Sequence, residues 1–211
     1  LTVLSRSRNT AYTEVGAPGW AAPSYIRQFM SEKDFQDCCP ENEIWKDHHA
    51  FDAWTTLTWL RIPEVEYYFG GYSSIDDLCH KTQFIQAMGY KSLFEEMRRQ
   101  QPHCSMALNW CLNGPWPTAA NNSLISWPDI PRPAYEAVKQ ALRPQMSSLA
   151  VTHNLWKAGE LFTAGVWMLN ESLQPLDSCS IDVFYSFPDL ECPKSIWNTA
   201  FSPYLYRTIL S

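Results

Sequence analysis

Glu14 is the side chain whose position has the clearest chemical content. It closes a short extended stretch, Tyr12, Thr13, Glu14 and Val15, and the loop and turn residues Gly16, Pro18, Gly19 and Pro23 follow. A carboxylate at the end of a strand, ahead of a Gly- and Pro-rich loop, is where parallel β/α barrels place catalytic groups. A structural glutamate before a glycine fits the same residues. Trp110, Asn113 and Trp116 lie together in the run NWCLNGPWP, residues 109–117. Flat aromatic rings beside polar groups in general suit stacking on the apolar faces of sugars. The structural readings stand beside this one: Trp110 as a buried strand residue, Trp116 as a brace between Pro115 and Pro117.

His48 and His49 are adjacent, so one of the two at most is expected to point into a site, the other capping a loop. The divergence of neighbouring side chains also argues against metal binding, and no Cys or carboxylate recurs near them at ligand spacing. No metal or other cofactor is expected. The remaining carboxylates have structural readings: Asp76 and Asp77 open a helix and favour its dipole, while Glu95 and Glu96 lie within a turn of Arg98 and Arg99. Glu64 and Glu66 stay open. No nucleophile elbow, phosphate-cradling loop or dinucleotide fingerprint occurs.

Several elements must position these groups. A short helix is expected over residues 24–29 with Ser24 as its cap, then a polar loop through Glu43. Residues 45–72 mix aromatics with polar stretches without a period and read as an ordered, loop-rich excursion broken by Pro63 and Gly70-Gly71. Ile75, Leu78, Thr82, Ile85, Met88, Phe94 and Met97 recur at helical steps between Ser74 and Pro102, with Gly89 as a possible break. Residues 104–112 read as a buried strand, and residues 133–142 as a helix with Pro in its first turn. Strand, loop, helix, strand, loop, helix is the order of parallel β/α units. Beyond Pro144, residues 149–151, 161–169 and 180–187 read as antiparallel strands, so a boundary is expected near residues 143–147.

Composition narrows the partners. With a net charge of −6 and no basic block, nucleic acid is excluded as a partner. No apolar run approaches the roughly 20 residues of a membrane span. Aromatics make up 14% of the residues, a share that suits sugar stacking and that cores also use. Seven Cys, at 38, 39, 79, 104, 111, 179 and 192, form no C-x-x-C pair, and an odd number cannot be fully paired. A bridge from Cys38 or Cys39 to Cys79 stays open. The sequons at Asn121 and Asn170 match a frequent pattern that decides little.

Several motifs, in order, resemble family 2 glycoside hydrolases of the β-mannosidase and exo-β-glucosaminidase kind. Thr13-Glu14-Val15-Gly16, then Pro23-Ser24, resembles the segment that carries that family's nucleophile. Trp45 with His48-His49 is similar to a family loop. QFIQA at residues 83–87 and Glu96-Met97-Arg98-Arg99 are similar to its Q-x-x-Q-A…E-x-x-R-R helix. NWCLNGPWP is similar to its W-x-L-N-D-x-W-P strand, and Ser126-Trp127 with PRPAYEAVK at 131–139 resembles its S-x-x-D-Y…P-K-P-A-Y-Y-A-V-K run. The resemblance covers residues 10–145 and departs at Gly114, where the family has an acidic residue or Asn.

The resemblance implies an α/β fold: residues 1–145 as the carboxy-terminal part of a (β/α)8 TIM barrel, residues 146–211 as a partial immunoglobulin-like β-sandwich. Two β/α units fall short of eight, and about 65 residues fall short of the roughly 100 of a sandwich. It implies a retaining glycosidase with Glu14 as catalytic nucleophile, Trp110 as an aromatic wall, and Asn113, Trp116, His48 and His49 as further substrate-binding candidates. The partner is a β-linked carbohydrate, foremost a β-mannoside, with β-glucosaminide or β-galactoside behind it. The family's acid/base lies on an earlier strand, so a preceding part of the same protein is the second expected partner, and the isolated chain is expected to be inactive. The alternative is a non-catalytic fragment, structural or sugar-binding. A chain opening at Leu1 reads as starting within a domain, and a secreted or periplasmic location is expected over a cytoplasmic one.

Overall fold

The structure, a computed structural model, describes residues 5–52, 59–157, 159–176, 178–185, 194–201 and 207–210. The chain divides into two units, Leu1–Leu142 and Arg143–Ser211. The first runs β1 (Ala11–Val15), β2 (Gly19–Trp20), α1 (Pro23–Ile26), α2 (Glu32–Gln36), α3 (Glu43–Asp47), α4 (Ile62–Phe69), α5 (Ile75–Arg99), β3 (Met106–Asn109), β4 (Ala120–Asn121), β5 (Ile125–Ser126), β6 (Ile130–Pro131) and α6 (Pro133–Ala141).

Helix α5 organises this unit. Ser74 caps it by accepting from the Asp77 amide at 3.1 Å, Asp76 and Asp77 occupy the first turn, and Arg98 and Arg99 the last. It runs unbroken through Gly89. The glycine serves close packing, since a Cβ there would lie 3.2 Å from the Ala17 side chain. The buried residues Leu78, Cys79, Thr82, Gln83, Gln86, Tyr90, Phe94, Met97 and Arg98 recur at the helical period, so one face is inward along the whole length. The amino half of that face joins a cluster with Trp20, Ile26, Phe35, Trp45, Leu60 and Val65. Its carboxy half joins Val15, Ala17, Cys104, Leu124, Ala134 and Val138.

The excursion expected at residues 45–72 is partly helical; residues 53–58 of it lie outside the described residues. Pro63, which reads as a breaker, sits in the first turn of α4, where a missing N–H costs nothing. Gly70 is that helix's left-handed C-cap, at φ 71°. The polar stretch before Glu43 contains α2, capped by Ser31 on the Asp34 amide and anchored by the buried Phe35. Helix α1 begins at Pro23 after Ala22, one residue ahead of the expected cap Ser24, and stops at Ile26.

Strands β1 and β3 pair in parallel across the α5 crossover, with Ala11 opposite Met106, Tyr12 opposite Ala107 and Val15 opposite Asn109, and a register shift between Tyr12 and Val15. Strand β3 is not buried as its apolar sequence suggests. Met106, Leu108 and Trp110 alternate onto one side and are 40%, 49% and 39% exposed. Strands β2 and β4 pair antiparallel through Gly19 and Asn121, as do β5 and β6.

The second unit holds β7 (Gln145–Val151), β8 (Ala164–Asn170), β9 (Cys179–Tyr185), β10 (Lys194–Phe201) and β11 (Arg207–Leu210). It is antiparallel, in a three-stranded sheet of order β11-β8-β7 and a β9–β10 pair. Ala164, Val166 and Leu169 of β8 are buried. Residues 186 and 187 of the expected strand at 180–187 lie outside the described residues. The chain is thus mixed helix and strand built on small sheets. Among the described residues Cys38, Cys39, Cys79, Cys104, Cys111 and Cys179 are all free thiols; Cys192 is not described.

Candidate active site

Glu14 is exposed near the carboxy end of β1, inside the register shift that separates Tyr12 from Val15. A shift of this kind interrupts the regular pairing and turns a side chain out of the pleat. The next residue is held from both sides: Val15 is buried, and its carbonyl accepts the Trp110 amide at 2.9 Å. The end of β1 that carries Glu14 therefore abuts the end of β3 that carries Trp110. Cys111, which sequence reasoning passed over as a site neighbour, also lies there. It has a left-handed φ of 71°, and its thiol is pushed up by partial burial and secondly by the charge of Glu14. Asn109 donates to the Cys111 carbonyl at 3.1 Å, and its buried Oδ1 has no hydrogen-bond partner among the described residues.

A second group gathers around Trp116. The His48 ring stacks on this indole at 5.0 Å between centroids, with Phe29 on its other contact at 4.2 Å, and His49 meets the indole edge-on at 5.9 Å. Adjacent side chains normally diverge; here both rings reach Trp116, and His49 adopts a left-handed φ of 63°. His48 Nδ1 lies 2.6 Å from the Pro117 carbonyl, which can only accept, so this nitrogen carries the proton. The His48 carbonyl in turn accepts the Ala119 amide at 2.9 Å. Trp116 is thus braced, and it remains 39% exposed. Asn113 is exposed in the loop between the two groups and bridges to Ile125 through the backbone.

Other sequence candidates are engaged structurally. Glu64 faces Arg61 at 3.0 Å, Glu96 faces Arg99 at 2.8 Å, and the buried Glu95 lies between Lys91 and Arg99. Trp45 is fully buried against Trp20 and donates to the Asp34 carbonyl at 2.6 Å. Among the described residues no three His, Cys, Asp or Glu side chains gather as a metal site, and no described helix is long and apolar enough to cross a membrane.

Beneath the loops lies a buried polar layer that a residue-by-residue scan does not reveal. Gln86 and Tyr90 of α5 and Arg132 before α6 reach backbone carbonyls of residues 17–19 and 121–123. Burial pushes the Arg132 guanidinium down to about 10, which leaves it charged at neutral pH.

No family model matches the chain. A β-mannosidase B of Aspergillus niger is 33% identical over a 92-residue alignment that covers 40% of this chain and 10% of that protein. The β-D-mannosidase of Dictyoglomus thermophilum superposes on 94% of this chain with a TM-score of 0.66 at 20% identity. The exo-chitosanase of Amycolatopsis orientalis does so on 94% with a TM-score of 0.60 at 14% identity, and one structure of that enzyme is a complex with PNP-β-D-glucosamine. The chain spans 10% of the curated relative and 23% of each of these solved chains. Similarity to β-mannosidases and exo-glucosaminidases of the family 2 kind, read first in the motifs, is thus found again in the fold and in the 92-residue match.

Proposed function

We propose that this chain carries the nucleophile side of a retaining β-glycosidase, with Glu14 attacking the anomeric carbon of a terminal β-mannoside. The observation that carries the reading is the placement of Glu14, exposed at the carboxy end of a parallel strand and beside Trp110, in a chain whose fold is similar to a β-mannosidase. In the first step a Glu14 carboxylate oxygen bonds to C1 as the bond from C1 to the leaving oxygen breaks, and that oxygen takes a proton from a second carboxyl group. In the second step the same carboxyl group, now ionised, deprotonates a water that attacks C1 and frees Glu14.

The second carboxyl group must stand about 5–5.5 Å from the first. In this reading another strand of the natural protein supplies it. The partly exposed Met106 and Leu108 of β3, with Trp110 just after it, support further strands on that side and so residues 1–145 as the closing part of a (β/α)8 barrel; the antiparallel strands of the second unit support residues 146–211 as part of a β-sandwich. Trp110 is then the wall of the sugar subsite, Trp116 with His48 and His49 its braced flank, and Asn113 a hydrogen-bonding group for a sugar hydroxyl.

The test is hydrolysis of a panel of nitrophenyl β-glycosides by the full-length natural protein beside its Glu14→Gln variant. The reading requires that the β-mannoside be cleaved and that the substitution abolish turnover. A parent that cleaves no glycoside, or a variant with full activity, makes Glu14 structural and leaves the chain as a structural or sugar-binding piece.

A further inference from the structure

We infer that Gln86 and Arg132 are positioning residues, pinning the loop that follows Glu14 to the segment that follows Trp116. The catalytic consequence rests on the glycosidase reading above; the structural one rests on the geometry alone. Gln86 is fully buried in the middle of α5. Its Nε2 donates to the Ala17 carbonyl at 2.9 Å and to the Asn121 carbonyl at 3.2 Å, with the Ser123 carbonyl at 3.5 Å. Arg132 is buried too, and its Nη1 donates to the Gly19 carbonyl at 2.9 Å and the Asn121 carbonyl at 3.3 Å, while Nε donates to Ser126 Oγ at 2.9 Å. Both side chains thus meet at one carbonyl, that of Asn121, and each also holds a carbonyl of the Glu14 loop.

Two features set this joint apart from incidental polar filling, even though Gln86 Oε1 has no hydrogen-bond partner among the described residues. Gly19 has no room for a side chain, because a Cβ there would lie 2.8–2.9 Å from the Gln86 side chain. Its hydrogen is what lets the carboxamide pass between the two segments. Arg132, among the described residues, has no carboxylate partner. A buried cation is retained at a desolvation cost of several kcal/mol, and its hydrogen bonds run to loop backbone and to Ser126, with Nη2 left without a partner among the described residues. Further along the same joint, the Asn122 carboxamide sits 3.0–3.2 Å from where a Gly16 Cβ would be, two residues from Glu14. Glu14 precedes the pinned carbonyls of Ala17 and Gly19 by a few residues, so a loosened joint displaces its carboxylate relative to bound sugar. A misplacement of about 1 Å costs on the order of 100-fold in rate.

The experiment uses the full-length natural protein with Gln86→Met, which keeps the length of the side chain and removes its donors, and with Gly19→Ala, which pushes the same carboxamide from the opposite side. Amide hydrogen exchange is followed in residues 16–21 and 120–124. The values of kcat and KM are expressed per active site titrated with a 2-deoxy-2-fluoro β-mannoside. In both variants the two segments exchange faster while α5 keeps its protection, and kcat per titrated site falls about 100-fold with KM within about threefold. Unchanged exchange in both segments overturns the pin. Loss confined to the fraction of titratable sites, with kcat per site unchanged, overturns the positioning role. If the parent has no glycosidase activity, faster exchange still upholds the pin while the glycosidase reading falls.

Discussion

Replacing Tyr90 with Phe removes one oxygen and leaves the packing in place. The ring is fully buried and stacks on Phe94 at 6.5 Å between centroids, so volume and aromatic contact survive. What is lost is the donation from the phenol to the Asn122 carbonyl at 2.5 Å. A buried acceptor left without its donor costs about 1–3 kcal/mol. In a unit of this size each kcal/mol moves the melting midpoint by about 2–4 °C, so the variant melts roughly 2–12 °C lower. The same hydroxyl has a signature in pH. Burial pushes the Tyr90 phenol up to about 12, against smaller opposing effects of the Ala17 amide and the Arg132 charge. The folded state therefore holds this proton more tightly than the unfolded chain, whose phenol titrates near 10. That contribution is full below pH 10 and is lost as pH rises from 10 towards 12, and the two-unit difference corresponds to about 3 kcal/mol. Urea unfolding at a series of pH values, for parent and Tyr90→Phe, measures both effects. The parent starts more stable, and its advantage shrinks above pH 10. A variant within about 0.5 kcal/mol of the parent at neutral pH, with no change in alkaline slope, would show that the hydroxyl faces water and would refute the buried polar layer.

Two other perturbations probe separate parts of the molecule. Trp116→Ala removes the His48 stack and the His49 edge contact and, because the indole is partly exposed, destabilises by about 1–3 kcal/mol, less than a fully buried Trp. If this indole also flanks the sugar, KM rises while kcat stays within about threefold; steady-state kinetics on a nitrophenyl β-mannoside, with thermal melting alongside, separates brace from wall. Asp76 accepts both Arg27 Nη groups, at 2.7 and 2.8 Å, and this hydrogen bonding holds its carboxyl below the usual value of 3.8. Its contribution is present above that value and is lost as pH falls through it towards the lower folded value. The pair is 31% and 41% exposed, so the effect is small and screened by salt. Asp76→Asn is expected to flatten the acid arm of a urea-midpoint profile below pH 4, most visibly at low ionic strength.

The parts legible in the sequence were those set by local chemistry. Helix α5 announces itself through the Ser74 cap, the acidic first turn and the apolar steps that follow. The strand before Glu14 is legible because Gly16, Pro18 and Gly19 end it. Local punctuation also misleads. Pro63 and Gly70 read as breaks, yet they open and close α4, since the same residues that interrupt a helix are the ones that begin and end it. Gly89 reads as a break and is instead a packing glycine, because only the Ala17 loop, distant in sequence, supplies the reason for it. The exposure of β3 was hidden because an apolar strand reads the same whether its faces are covered or open. For the candidate site, single positions such as Glu14 and Trp116 stand out by type. The layer beneath them does not, because Gln86, Tyr90 and Arg132 come from different elements and meet at carbonyl groups, which carry no sequence signal.

The most direct test of the account is covalent trapping. The full-length natural protein is incubated with a 2-deoxy-2-fluoro-β-mannosyl fluoride, digested, and mapped by mass spectrometry. The account predicts one fluoromannosyl ester, on Glu14, formed as activity is lost and released on transfer to an acceptor sugar. An ester on any other carboxylate, or full inactivation with Glu14 unmodified, would contradict it.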